Sequence, residues 1–283
     1  MTDDITLVDL WQILLNRYKL VIGGTLLGTA LACLIAFTSQ PVYRAEALLA
    51  PVSADQRSDG LPALAHQLGD IAGLAGLSFS SGNERRVEAL AVLQSRALTE
   101  AFVAEADLLP VLFPDKWDAS RGKWKADLRG KVPTLWDANE LFASKLRKVS
   151  ENRETGLVTL AIEWTDPKLA ARWVAELIAR TNDRLRTRAI SDSERHIAYL
   201  RRQLQTVDAI EIRQSIYRLI ESEIKTIMLA QGNDEYAFKV IDPPVVPQEH
   251  VRPKRVLIIG VGVVSGFTLS CIAALFLGRR PRS

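Results

Sequence analysis

The chain has 283 residues, and its composition, 48% hydrophobic and 24% charged, is typical of a folded protein rather than a disordered one. Its 36 basic and 33 acidic residues give a formal net charge of +3. No long basic run alternates with aromatic residues, so the sequence predicts no nucleic-acid partner.

The N-terminal part of the chain predicts a transmembrane helix at residues 20–37. This segment carries no charged residue and is long enough to cross the hydrocarbon core of a bilayer. A cleaved signal peptide fits less well, because acidic residues precede the segment and no Ala-x-Ala site follows it. Before it, apolar residues from Leu7 to Leu15 recur at helical spacing, which indicates either a separate interfacial helix or an extension of the transmembrane helix.

The next part of the chain predicts a strand, a connection and a helix. The strand covers residues 42–52, and its apolar face would carry Tyr43, Ala45, Ala47 and Leu49. Residues 53–82 are rich in Gly, Ser and Ala, and their apolar part at 71–77 is either a buried loop or a subunit contact. A helix is expected from Asn83 to Ala106, with buried side chains at Val87, Leu90, Leu93, Leu98 and Phe102.

Residues 108–137 are interrupted by Pro and Gly and contain Trp117, Trp124 and Trp136. Aromatic faces stack on sugar rings, so a sugar-binding surface is one hypothesis. We favour the alternative that these tryptophans pack beneath an irregular segment, because large aromatic side chains gain most from burial.

Two hairpins follow, one of strands and one of helices. Residues 145–149 and 157–164 predict two strands joined by a polar turn. Asp166 is a good N-cap, and the proline after it suits the first helical position. Two helices with apolar stripes then follow, separated by a short break, so the predicted helical hairpin covers about residues 166–231.

The chain then returns to the membrane. A short strand at 238–241 is expected beside the strand that begins at Val42. Four prolines would hold the following approach extended, namely Pro243, Pro244, Pro247 and Pro253. Residues 256–277 carry no charge and predict a second transmembrane helix.

Together these elements predict an α+β fold, in which one domain with a small mixed sheet and a long helical hairpin lies between two transmembrane helices. The only cysteines are Cys33 and Cys271, one in each transmembrane segment. They are expected at different depths, so no disulfide within the chain is predicted and the domain must fold through its core.

Basic residues on the terminal sides of both segments predict the orientation: Arg17, Lys19, Arg279, Arg280 and Arg282. Because cytoplasmic flanks are enriched in Lys and Arg, residues 1–19 and 278–283 are expected in the cytoplasm. Residues 38–255 then form the periplasmic domain of a bacterial inner-membrane protein. The basic residues at 252–255 lie on the exported side, but long translocated segments largely escape this tendency.

Small residues recur at every fourth position in both transmembrane segments. The two stripes are Gly24, Gly28, Ala32 and Ala36, and Gly262, Gly266, Ser270, Ala274 and Gly278. Residues four apart share one helix face, where small side chains let two backbones approach closely. We therefore predict helix packing, either within a subunit, between subunits or with another membrane protein, through Gly24, Gly28, Ala32, Gly262, Gly266 and Ser270.

No residue pattern predicts catalysis, a cofactor or a metal site. The chain lacks a Gly-x-x-x-x-Gly-Lys-Ser/Thr loop, which excludes a nucleotide-dependent kinase of that class within it. The histidines His66, His196 and His250 lack the spacing of metal ligands, and neither a Gly-x-Ser-x-Gly motif nor a zincin helix occurs. The sequence therefore predicts a protein that is not an enzyme.

Eight short segments carry a resemblance to a known family: Ile5–Trp11, Tyr43–Ala45, Leu74–Leu77, Val87–Leu90, Gln94–Leu98, Asp166–Pro167, Val240–Pro247 and Pro253–Arg255. In this order, and followed by a second apolar segment with glycines, they resemble the Wzz-type chain-length determinants, also called polysaccharide co-polymerases. The resemblance covers nearly the whole chain.

The resemblance implies a non-enzymatic regulator of surface polysaccharide length, acting on lipopolysaccharide O-antigen, capsule or exopolysaccharide. It also implies a ring-like homo-oligomer in the membrane that acts with a Wzy-type polymerase, with the growing glycan as a further candidate partner. In the family, the proline-rich approach and the second transmembrane helix are tied to oligomerisation and polymerase contact, and they match here at Pro243, Pro244, Pro247, Pro253, Gly262 and Gly266.

Two other functions stay open. One is a membrane adaptor that activates a separate cytoplasmic tyrosine kinase in exopolysaccharide export, although the basic tail at 278–283 is short for that role. The other is an accessory of an efflux or secretion channel, which should combine a helical hairpin with a lipoyl-like β domain. The predicted strands are too few and too dispersed for such a domain.

Overall fold

The computed structural model describes residues 18–52, 81–125 and 131–278. The chain divides into two compact units, Met1–Tyr43 with Gln248–Ser283 and Arg44–Pro247. Three predictions lie outside the described residues: the interfacial helix before residue 18, the apolar segment at 71–77 and the basic residues after residue 278.

Eight α-helices occur in the described residues. They are α1 (Tyr18–Thr38), α2 (Ser81–Gln94), α3 (Arg96–Glu105), α4 (Leu109–Leu112), α5 (Leu135–Leu141), α6 (Pro167–Leu204), α7 (Ile210–Gln231) and α8 (Arg255–Gly278). A 3₁₀ turn covers Pro114–Lys116, and a π-helical turn covers Phe142–Leu146. The predicted apolar segments at 20–37 and 256–277 lie within α1 and α8.

Seven strands occur in the described residues. They are β1 (Val42–Pro51), β2 (Trp117–Asp118), β3 (Lys123–Trp124), β4 (Arg147–Glu151), β5 (Val158–Trp164), β6 (Phe238–Asp242) and β7 (His250–Arg252). One sheet has the order β4-β5-β1-β6, with β7 paired to the start of β1, while β2 and β3 form a separate small hairpin. β6 runs antiparallel to β1 with Val240 opposite Leu49, which confirms the predicted pairing of these strands.

The core of the unit at 44–247 lies between the sheet and the helices that cover it. In β1, Ala45, Ala47 and Leu49 are buried whereas Glu46 is exposed, as the alternating pattern predicts. In α6, Trp173 is only 2% exposed and lies against aromatic rings of other elements. Its ring centroid is 5.2 Å from that of Trp164 and 6.0 Å from that of Phe142.

α6 and α7 form a helical hairpin. The carboxylate of Asp166 accepts hydrogen bonds from two backbone N–H groups in the first turn of α6, at 2.8 and 3.3 Å, which confirms the predicted N-cap. α6 has 38 residues, which corresponds to about 57 Å of helix. Its distal part packs on α7 through the buried side chains of Ile197, Ile216 and Ile220. The predicted α+β fold, with a sheet and a long helical hairpin between two apolar helices in the chain, is confirmed.

Three details of the prediction are wrong. The single helix expected at Asn83–Ala106 is broken at Ser95, because the hydroxyl of Ser95 accepts a hydrogen bond from the N–H of Leu98 at 3.2 Å and starts α3. Val87 is 55% exposed instead of buried. The first strand of the strand hairpin begins at Arg147 rather than at residue 145, because helical structure continues up to that point.

The start of α5 is held by a capping box. Thr134 accepts a hydrogen bond from the N–H of Asp137, and the Asp137 carboxylate accepts one from the N–H of Thr134 at 2.8 Å. The hydrogen bonds from the backbone N–H and the hydroxyl of Thr134 lower the pKa of Asp137 below its ordinary value. The ionised Asp137 carboxylate therefore stabilises the folded protein above its unfolded-state pKa. This contribution is lost as the pH falls through the lower pKa that Asp137 has in the folded state.

We expect Asp137→Ala to lower the free energy of unfolding by about 1 kcal/mol at pH 7, the usual size of an N-terminal capping contribution. Below about pH 4 the difference from the wild type should narrow, because the wild-type carboxylate becomes protonated. Thermal unfolding of the full-length protein in detergent measures both effects. Glu140→Ala, at an exposed carboxylate one turn later, is the control. If the difference in stability between Asp137→Ala and the wild type did not depend on pH, this role of Asp137 would be contradicted.

Candidate functional site

α1 and α8 carry the small-residue stripes and form the candidate site. Both helices are long and apolar enough to cross a membrane. Large apolar side chains are exposed on their outer faces, among them Leu26, Leu34 and Val264. Such a surface is unfavourable in water and suits a lipid environment.

The two stripes face each other within one chain. A Cβ atom built on Gly24 would lie 2.8 Å from the Cβ of Ser270, and one built on Gly28 would lie 2.8 Å from the Cα of Gly266. A Cβ on Gly262 would meet the side chain of Ala32. As the position along α1 increases, the facing position in α8 decreases, so the helices are antiparallel and their backbones are in contact along the stripes.

In the contact between α1 and α8, backbone atoms of one helix lie directly against backbone atoms of the other. A Cβ on Gly28 would lie 3.0 Å from the carbonyl oxygen of Gly262, and one on Gly266 would lie 3.2 Å from the carbonyl oxygen of Gly24. Gly23 and Gly260 are different, since a Cβ atom built on either meets nothing within 4 Å. At Gly28 and Gly266, a side chain would force the two helix backbones apart. At Gly23 and Gly260, a side chain would have open space.

Hydroxyl groups in the two helices are bonded to the backbone of their own helix. Thr25 donates to the carbonyl of Val21 at 2.8 Å, Thr29 donates to that of Thr25 at 2.8 Å, and Ser270 donates to that of Gly266. This arrangement satisfies polar groups without a partner helix, as an apolar environment requires. Cys33 and Cys271 are both free thiols.

The C-terminal end of α1 lies beside the start of α8. The guanidinium of Arg255 lies 5.3 Å from the ring centroid of Phe37, within the range of a cation–π interaction. Thr38 and Ser39 donate hydrogen bonds to backbone carbonyls in the last turn of α1, at 2.7 Å each. These contacts, which sequence patterns did not reveal, fix the end of the helix pair.

The four prolines lie on both sides of β7. Pro243, Pro244 and Pro247 occupy the irregular segment between β6 and β7, and Pro253 follows β7 directly. Within this segment Val245 is 70% exposed and Val246 is 50% exposed. The part that these prolines play in assembly or in polymerase contact stays a prediction.

The three tryptophans are less buried than we expected. Trp117 and Trp124 face each other across the β2–β3 hairpin with ring centroids 4.9 Å apart, and both are only partly buried. Trp136 is 53% exposed, so the expectation that it packs beneath an irregular segment is wrong. The sugar-binding hypothesis for these residues stays a prediction.

The described residues contain no group of three or more His, Cys, Asp or Glu side chains arranged to hold a metal ion. In the same residues, His196 is paired with Glu223 at 3.1 Å, whereas His250 lies exposed in β7. The geometry of the helix pair is one of close packing between apolar surfaces. What this site can do chemically is to fix two apolar helices against each other.

The N-terminal part of the chain is similar to a known protein family. The family model described as "Wzz: Chain length determinant protein" matches residues 3–106. This match covers the N-terminal part of the chain, including α1, β1, α2 and α3, and it confirms the resemblance to the Wzz family. Among curated proteins, no match was found.

Solved structures of known proteins, two of which are described here, are similar over most of the chain. One is a "full-length bacterial polysaccharide co-polymerase", with 10% sequence identity, a TM-score of 0.42, and coverage of 95% of this chain and 96% of the other. The second is a "Fragment of WzzB, Polysaccharide Co-polymerase from Salmonella Typhimurium", with 11% identity, a TM-score of 0.32, and coverage of 75% of this chain and 100% of the other.

Proposed function

We propose that this chain, which matches the Wzz family over residues 3–106, regulates the chain length of a bacterial surface polysaccharide without being an enzyme. That match is the observation that carries the proposal. The polysaccharide is O-antigen, capsule or exopolysaccharide. Two apolar helices near the chain ends, with the other unit between them in sequence, support a two-pass protein of the inner membrane.

In this proposal both termini lie in the cytoplasm and the unit at 44–247 lies in the periplasm. An alkaline phosphatase fusion after Gly122 should therefore be active, and a fluorescent protein fused after Ser283 should fluoresce in the cytoplasm. The control is the same phosphatase fused after Ser283, which should be inactive. The opposite pattern of activities would contradict the proposed orientation.

The regulator acts as a ring-like homo-oligomer that contacts a Wzy-type polymerase. Because the small-residue stripes of α1 and α8 are occupied within each subunit, contacts between subunits and with the polymerase must use other surfaces. The outer faces of the two helices and the exposed Val245 and Val246 between the prolines are available for such contacts. The ring then limits how long the polymerase and the growing glycan stay engaged.

Deletion of the gene tests the function. We expect gel electrophoresis of the surface polysaccharide to show the loss of a defined cluster of chain lengths, which the restored gene brings back. If the total amount of polysaccharide fell while its length distribution stayed the same, the adaptor of a cytoplasmic kinase would be favoured instead. An unchanged amount and an unchanged length distribution would contradict both functions.

A further inference from the structure

A cleft with a volume of about 330 Å³ lies within the unit at 44–247, between α2, α6, α7 and the chain just before β6. Its wall includes Leu185 and Ala237, each 7% exposed, and Ser193, which is 3% exposed. Charged and polar side chains from all three helices line most of the cleft, and a smaller apolar part is formed by Leu185, Ala189 and Ala237. A concave site in which polar groups converge beside an apolar surface is typical of small-molecule binding.

Polar side chains of the cleft contact one another within α6 and between helices. Arg188 of α6 lies 3.2 Å from the carboxylate of Glu88 in α2 and 3.8 Å from that of Asp192. His196 of α6 lies 3.1 Å from Glu223 of α7. These contacts bring polar groups of α2, α6 and α7 together around the cleft.

The same side chains keep unused hydrogen-bonding capacity. Within the described residues, only one oxygen of Glu88 and one of Glu223 has a partner, so each carboxylate can accept further hydrogen bonds. Arg85 also lines the cleft and, within the same described ranges, forms no hydrogen bond or ion pair. The cleft thus offers carboxylate acceptors on α2 and α7 and a guanidinium donor on α2.

The balance of charge decides the class of ligand. Three carboxylates, at Glu88, Asp192 and Glu223, face two guanidinium groups, at Arg85 and Arg188, and the imidazole of His196, so the cleft has no excess of positive charge to attract an anion. A metal ion is not favoured either, since the described residues contain no cluster of metal-ligating side chains. A neutral molecule with several hydroxyl groups fits both observations. A sugar ring can place its C–H face on the smaller apolar part of the cleft and its hydroxyl groups against the carboxylates and the guanidinium.

We propose that this cleft binds a neutral sugar residue of the polysaccharide whose length the chain regulates, an inference that rests on the proposed function. Glu88 and Glu223 accept hydrogen bonds from neighbouring hydroxyl groups, and Arg85 donates to a sugar oxygen. Because these groups belong to α2 and α7, a bound sugar connects the helical hairpin to α2. Each subunit thereby holds the growing glycan at a fixed place beside its helical hairpin.

Binding is tested with the full-length protein in detergent micelles, using the oligosaccharide repeat unit released from the surface polysaccharide of the same cells. Saturation-transfer NMR and calorimetry detect binding, and inorganic phosphate serves as the anionic probe. We expect Glu223→Gln to weaken binding about tenfold, since a neutral amide accepts weaker hydrogen bonds than a carboxylate. Ala189→Phe, which fills the cleft, should abolish binding. Glu194→Gln, at an exposed carboxylate of α6 outside the cleft, should bind like the wild type.

Any of the following results would overturn the inference. Binding that is equal in the wild type, Glu223→Gln and Ala189→Phe would place the sugar elsewhere, and no binding by the wild type would exclude the site. Phosphate binding in competition with the oligosaccharide would show that the cleft is a site for anions. These failures are distinguishable from failure of the proposed function, because the effect of gene deletion on polysaccharide length is measured independently of binding.

Discussion

Replacing Gly28 with Leu should eliminate or shift the modal cluster of the surface polysaccharide while the protein remains in the membrane at a normal level. A Cβ at this position would lie 2.8 Å from the Cα of Gly266 and 3.0 Å from the carbonyl oxygen of Gly262. The opposing atoms belong to the backbone, so α1 and α8 must separate. Overpacking of this kind costs about 1–3 kcal/mol even for a few added methylene groups, and we expect the helix pair to lose its register.

The chain provides matched controls for this substitution. Gly23→Leu adds the same side chain to α1, one position away from the stripe, where a Cβ meets nothing within 4 Å. In α8, Gly262→Leu and Gly266→Leu should broaden or shift the length distribution, whereas Gly260→Leu should not. Gel profiles from a deletion strain carrying each variant, with immunoblots for protein level, measure the effect. A wild-type profile for Gly28→Leu at a normal protein level would contradict the role of the stripe.

Replacing Arg147 with Met should lower the stability of the unit at 44–247 by about 1.5–3 kcal/mol, as expected when buried neutral acceptors lose a charged hydrogen-bond donor. The guanidinium of Arg147 donates to the carbonyl oxygens of Leu93 and Gln94 at 3.0 and 2.8 Å, and to the hydroxyl of Thr99 at 2.9 Å. Burial lowers the pKa of Arg147 below its usual value. Its charge lies at the C-terminal end of α2, where the helix dipole and the unpaired carbonyl groups favour a cation.

Thermal unfolding of the full-length protein in detergent measures this effect. Lys148→Met is the matched control, because Lys148 is the next residue of β4 and its side chain is exposed. Arg147→Lys should recover only part of the stability, since an ammonium group cannot reproduce the planar arrangement of donors that reaches three acceptors. An unfolding temperature for Arg147→Met within about one degree of that of the wild type would show that the hydrogen bonds of Arg147 do not stabilise the protein.

The contacts of Arg147 are an example of structure that sequence patterns do not predict. The apolar periodicity of residues 83–106 is nearly continuous, so it predicts one helix. Besides the local Ser95 cap, the break is stabilised by Arg147, more than 50 residues later in the sequence, through hydrogen bonds to the end of α2. A contact of this kind leaves no local signal in either segment.

Sequence patterns predicted the features that depend on residues close together in the chain. Asp166 followed by a proline predicts the start of α6, and the alternation around Ala45 and Leu49 predicts which face of β1 is buried. The spacing of the small residues predicts one packing face on each membrane helix, but it cannot identify the helix that packs there. The structure places the two stripes against each other within one chain.

The proposed sugar cleft could not be predicted from the sequence for the same reason. Its rim combines Glu88 from α2, Arg188 from α6 and Glu223 from α7, which come together only after the helical hairpin packs beside α2. In the sequence these residues are unremarkable members of charged helix faces. Their function becomes testable only because ion pairs and a cleft bring them together.

The most direct test of the central claim is a reconstitution of chain-length control. Proteoliposomes would contain the Wzy-type polymerase and lipid-linked repeat units, with or without the full-length chain, and the product lengths would be compared on a gel. If the chain regulates length, its presence should convert a continuous, decreasing distribution into a cluster around one modal length. The same distribution with and without the chain would contradict the claim.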